Sequence, residues 1–135
     1  MSTFTRLMAL IAALGLMVGC VSGRHGSSAA PTEDMYLKYA GPPIDSFTYL
    51  GHYNGFRTLG GQKVVIWTTI NDAYLIKVLE PCVNLPFTNK LALTSSAKTV
   101  TRSVDWVIAD HDRCRIESIR HIDYRAMKQA GIAGP

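Results

Sequence analysis

The sequence has no Walker loop, no Gly-x-Gly-x-x-Gly turn and no Gly-x-Ser-x-Gly elbow, so the common signatures of nucleotide binding and of serine hydrolases are missing. Charge is also thin: 14 basic and 10 acidic residues among 135, with the two signs interleaved. The densest basic stretch, Arg113, Arg115, Arg120 and Arg125, is broken by Asp112, Glu117 and Asp123. A nucleic-acid partner needs a coherent basic face and is not expected here. The formal charge of +4 leaves room only for a weak preference for anionic lipid or cell-wall polymer. Four histidines, His25, His52, His111 and His121, are scattered and not clustered, so no catalytic site and no cofactor is assigned. Ser95 and Ser96 read as turn residues, and Gly60-Gly61 as a chain reversal before a strand.

Only one long apolar run is present, and its position is informative. Leu7 to Val18 follows Arg6 and ends at Gly19-Cys20, after which the chain turns abruptly to Ser, Gly and Ala. A basic start, about 7–15 apolar residues and small residues at the cut make a secretory signal. A persistent span would need about 20 apolar residues. The thiol of Cys20 at the junction points to a lipoprotein signal over residues 1–19, although Met17 stands where such signals usually carry Leu. An ordinary cleaved signal or an uncleaved anchor are the alternatives. Lipidated Cys20 would begin the mature chain, with two or three acyl chains as a stable membrane anchor. Val21, rather than Asp, resembles the sorting pattern of outer-membrane lipoproteins, so the expected location is the outer membrane, facing the periplasm.

Residues Val21 to Thr32 are small and polar and cannot bury enough surface to offset the entropy of ordering. These twelve residues span about 40 Å at full extension, and with Cys20 they make a lipidated tether over residues 20–32. Residues 33–135 are one domain's worth of chain, without an internal repeat. Removing Arg6 with the leader lowers the formal charge from +4 to +3.

Of three cysteines, Cys82 and Cys114 remain once Cys20 is assigned to lipid. An oxidising envelope favours a disulfide between them. Closing a loop of about 33 residues gives roughly 3.7 kcal/mol in the chain-entropy model. The alternative is a metal site, because Asp110, His111, Asp112 and Cys114 crowd together. Zinc ligands usually come as spaced pairs from two elements, and Cys82 has no such companion nearby. No metal is therefore assigned.

Strand signals dominate from Gln62 onward. Lys63–Thr69 and Ala73–Leu79 are rich in β-branched and aromatic residues around a polar break at Asn71-Asp72, a hairpin signal. Pro81 ends the second strand and leaves Cys82 at its exit. Leu91–Thr94 and Thr99–Arg102 read as another hairpin around Ser95–Lys98. Val104, Trp106 and Ile108 alternate with Asp105, Val107 and Ala109, before a tight turn at Asp110–Arg113. In Cys114–Ile122 the isoleucines at 116, 119 and 122 also suit a helix, but β-branching favours a strand. Ile44–His52 and Gly55–Leu59 read as a further strand pair joined at Tyr53-Asn54. Thr32 can cap a short helix over Glu33–Ala40, stopped by Gly41-Pro42-Pro43, and Asp123 a second over Tyr124–Ala130. The expected fold is mainly β: a small antiparallel barrel or sandwich of about six or seven strands with short flanking helices.

The run Trp67–Cys82 with its Glu-Pro-Cys end, then Asn84-Leu85, Leu93–Ser96, Val104-Asp105 and the closing Cys114-Arg-Ile-Glu-Ser-Ile119, resembles an uncharacterised family of small proteobacterial lipoproteins with a two-cysteine β framework. The resemblance spans about Ile44 to Asp123 and implies no activity.

Asp105 beside Trp106 would suit a sugar or peptide groove, but such an aspartate more often faces solvent or bonds to neighbouring backbone. Trp67, Trp106 and Tyr74 would suit a ligand cleft, but strand aromatics are usually core. The expectation is a non-enzymatic envelope lipoprotein that binds or supports an envelope protein or cell-wall partner through an edge strand or a concave face. A periplasmic enzyme or enzyme inhibitor acting on cell-wall or secreted substrates is the alternative. A cleft joining Asp105, His111 or His121 would favour the latter.

Overall fold

The computed structural model describes residues 30–132; the leader, Cys20 and most of the tether lie outside them. In chain order come helix α1 (Glu33–Tyr39) and strands β1 (Ala40–Ile44), β2 (Ser46–Thr48), β3 (Gly55–Leu59), β4 (Lys63–Trp67) and β5 (Ala73–Val78). Strands β6 (Leu91–Leu93), β7 (Thr99–Thr101), β8 (Trp106–Ala109) and β9 (Asp112–Ile122) follow, then helix α2 (Tyr124–Gln129). The class is mainly β, as expected. The described residues hold nine strands, not six or seven; β1 escapes the sequence reading because Gly41-Pro42-Pro43 reads as a helix stop.

Six antiparallel strands in the order β3-β4-β5-β9-β8-β6 curl into a half-barrel, and β1 joins β9 off this path. β3 and β4 turn at Gly60, whose φ of +69° suits glycine. β4 and β5 form the expected hairpin, with Val64 opposite Ile76 and Ile66 opposite Tyr74. The long β9 is central: β5 runs along one edge, while β8 and then β1 share the other.

Two local expectations fail. Leu91–Thr94 and Thr99–Arg102 do not pair with each other; β6 pairs with β8, and β7 pairs with β2 as a separate ribbon. The turn between them closes on itself through reciprocal Ser96 and Thr99 backbone bonds, with Ala97 and Lys98 at positive φ. Likewise β2 and β3 are not partners, since β3 pairs with β4. The Gly41-Pro42-Pro43 stop ends α1 at Tyr39 as expected, and the same residues then form β1, where proline is tolerated because only one side pairs, across a register shift between Ala40 and Pro43.

A bulge explains the threefold isoleucine spacing. Val78 faces Ile116 but Lys77 faces Ser118, so Glu117 is the extra residue on β9. Alternation slips there by one, which keeps Ile116 and Ile119 on the same face and sends Ile122 to the other.

The concave face holds the larger core, built from Val64, Ile66, Ile76, Val78, Val107, Ala109, Cys114, Ile116 and Ile119, with Phe47 and Val100 of the β2–β7 ribbon added. On the convex face α1 and α2 cover the β3-β4-β5 side and the Ile122 end of β9, burying Tyr36, Val65, Trp67, Leu75, Ile122, Tyr124 and Met127. Asp123 caps α2 by accepting the Ala126 N–H at 3.0 Å, and Lys128 ties the helix to Ile70 O and Asn71 Oδ1. Thr32 makes no side-chain cap on α1. Tyr53 bridges the two ends of the half-barrel: its hydroxyl donates to Leu91 O of β6 at 2.5 Å, and its ring meets Phe56 of β3 edge-on. No helix among the described residues is long and apolar enough to cross a membrane.

Candidate functional site

Pro81 sends the chain out of β5 and across to β9, which places Cys82 beside Cys114. They form a disulfide with a Cα–Cα distance of 5.6 Å, buried against the concave core. Asp112 lies with the two sulfurs in a group whose ligand atoms are within 4.8 Å of one another. The sulfurs are bonded to each other, and the Asp112 carboxylate accepts the Asn84 N–H at 2.8 Å. In this oxidised form the group offers one carboxylate that already has a donor. Asp110 and His111 are exposed at the neighbouring turn and are not part of that group.

Asp105 does not face solvent. It is 4% exposed, with Oδ1 accepting from Thr94 Oγ1 and Oδ2 from the Thr101 N–H, both at 2.8 Å. Thr94 Oγ1 in turn accepts the Trp106 N–H at 2.8 Å. A buried carboxylate held by charge-assisted bonds to two neighbouring segments organises the turn into β8. These contacts assign it to the framework.

The two folded histidines of greatest interest fall at opposite ends of β9. His111 lines a hollow of about 510 Å³ with Asn84, Lys90, Ala92, Ile108 and Asp110. His121 meets the Tyr74 ring edge-on at 5.3 Å and brings Nε2 to 3.6 Å from Asp72. At about 3.3 Å per residue, β9 separates them by roughly 30 Å. His52 lines a different hollow of about 220 Å³ with Thr48, Thr68, Thr69, Asp72 and Tyr74. Burial pushes the Tyr74 hydroxyl above its ordinary range, and Asp72 adds to the effect. The Tyr74 ring also stacks on Phe47 at 4.2 Å. Asp105, His111 and His121 are thus not brought together.

The two tryptophans part company. Trp67 is 1% exposed between Tyr36 and Tyr124, in the core as expected of a strand aromatic. Trp106 is half-buried on the convex face, with the guanidinium carbons of Arg115 and Arg113 at 4.6 and 5.3 Å from its ring centre. This cluster is missed by reading the arginines as an interrupted basic stretch. Their spacing of two, facing the Val104, Trp106 and Ile108 alternation across a two-residue turn, is the signal that finds it.

These features define a small, disulfide-linked antiparallel half-barrel whose polar groups form separate framework contacts, with a two-arginine cluster on Trp106. The chain belongs to DUF6491, a family of unknown function, whose model matches residues 3–133. No curated protein and no solved structure matches the chain.

Proposed function

We propose that this protein is a lipid-anchored, non-enzymatic binding or structural module of the bacterial envelope, held through Cys20 at the periplasmic face of the outer membrane. The carrying observation is cysteine accounting. The Cys82–Cys114 disulfide takes two of the three cysteines, leaving Cys20, which stands where the apolar leader gives way to small polar residues. A disulfide is the form expected outside the cytoplasm. The family match begins at residue 3 and so includes the leader and Cys20. The separation of Asp105, His111 and His121 supports a binding or structural role over an enzymatic one. The Tyr53 bridge between β3 and β6 occupies Leu91 O at the sheet edge, which favours a face over an edge strand as the contact surface.

Labelling with radioactive palmitate and membrane fractionation test the anchor. Wild-type protein should carry the label and sediment with the outer membrane, and Cys20→Ser should abolish labelling and release the protein or block its maturation. Label on another cysteine, or an unlabelled soluble wild type, would refute the reading.

A further inference from the structure

We infer that the convex face of β8 and of the Arg113–Arg115 part of β9, which no helix among the described residues covers, is a docking surface for an anionic lipid bilayer, with Arg113 and Arg115 meeting lipid phosphates and Trp106 seated at the headgroup level. The inference rests on the anchored reading above for its proximity to a membrane. Residues 104–109 alternate strictly: Asp105, Val107 and Ala109 are buried, whereas Val104, Trp106 and Ile108 face outward, with Val104 61% exposed. In register, Trp106 stands opposite Arg115 and Ile108 opposite Arg113. The face therefore presents an apolar row beside a cationic row.

Both arginines are exposed, and neither has a carboxylate partner among the described residues. The acids nearby do not neutralise them: Glu117 is paired with Lys77 at 2.8 Å, and Asp110 lies at the turn beside Lys90 and His111. Stacking on Trp106 orients the guanidinium groups while leaving their N–H forks free for phosphate, which they bind in bidentate fashion. The same stacking argues against a sugar platform, because guanidinium already covers the indole. Tryptophan is enriched at membrane–water interfaces, with its ring at headgroup depth. The domain starts at Glu33, thirteen residues after Cys20, so about 45 Å of chain suffices to lay this face on the bilayer.

The test uses purified full-length chain with vesicles of brominated phosphatidylethanolamine, with and without phosphatidylglycerol. Trp67 is buried and shielded from the bromines, so quenching of tryptophan emission reports Trp106. Quenching should require phosphatidylglycerol and vanish in Trp106→Phe. In a Cys20→Ser background, Arg113→Gln/Arg115→Gln should lower vesicle affinity on the order of 30-fold, as two cations near an anionic surface predict. The leader is common to both proteins, so the difference belongs to this face, and an unchanged melting curve shows that the variant is folded. Equal quenching in neutral vesicles, an affinity unaffected by the arginine changes, or retention by purified cell-wall sacculi but not by vesicles would overturn the inference. Palmitate labelling without Trp106 quenching would leave the anchor standing and the surface refuted. Arginine-dependent vesicle binding without palmitate labelling would do the reverse.

Discussion

The convex surface of this sheet is two regions with one construction principle and opposite fates. Around Trp67, on β4, helices α1 and α2 close over the sheet, and Tyr36 and Tyr124 approach the indole edge-on at 6.1 and 5.6 Å. Around Trp106, on β8, no helix among the described residues arrives, and two arginines cover the ring instead. Both tryptophans sit on short strands whose neighbours alternate normally. What separates them is the reach of the flanking helices. Both helices attach at the β4–β5 side, α1 through the 2.6 Å Glu33–Lys63 pair and α2 through Lys128 at the β4–β5 turn. A strand tryptophan is core only where another element covers it.

The largest expected contrast follows from this difference. Trp67→Ala should destabilise by about 3–5 kcal/mol, the usual cost of emptying a buried large aromatic site. Trp106→Ala should cost only about 1 kcal/mol, on the scale of exposed cation–π contacts. Chemical denaturation of both variants measures the gap. Equal losses would break the comparison.

The disulfide lies on the concave face that both regions share. Cys82→Ser, Cys114→Ser and the double variant should each lose about 2–5 kcal/mol, and alike, since each removes the same bond. Mass analysis after alkylation without reductant should find no free thiol at either position in the wild type.

Asp105 sharpens the contrast from the buried side of β8, facing away from Trp106, where its hydrogen bonds tie down the entry to the strand. Asp105→Ala leaves the Thr101 N–H and the Thr94 hydroxyl without their acceptor and should cost about 1–3 kcal/mol, within the range for orphaned buried groups. Amide exchange should quicken first at β6 and β8. Uniform quickening across β4 and β5 would contradict this division.

The smallest effect is alkaline. Burial raises the Tyr36 hydroxyl above its ordinary 10.0, with Arg57 opposing, and burial also raises Tyr49 and Tyr74. Above about pH 10 the unfolded chain gives up these protons first and so binds fewer than the folded one. Stability is therefore fully present below that pH and falls as pH rises toward the folded values. Denaturation midpoints from about pH 8 to about pH 11, read beside phenolate absorbance, check the sign. None of the three tyrosines contacts the Trp106–Arg113–Arg115 cluster, so Trp106→Phe should not alter the profile.

The sequence by itself determined the local elements that chemistry dictates at short range. β-branching and the polar break made β4 and β5 a hairpin, Pro81 placed Cys82 at a strand exit, and Asp123 capped α2. The pairing of Cys82 with Cys114 was also legible, because cysteine counting left few partners. Tertiary structure alone decided which strands meet. β6 found β8, and β7 found β2, because alternation records that a face is buried without naming the strand that buries it. The bulge at Glu117 was hidden for the same reason, since its evidence was an isoleucine spacing that a helix shares. The roles of Asp105, Trp67 and Trp106 depended on elements distant in sequence: Thr94 and Thr101 around the carboxylate, and helices that cover one indole and stop short of the other. Local propensity acts over a few residues, whereas burial is a property of the closed surface.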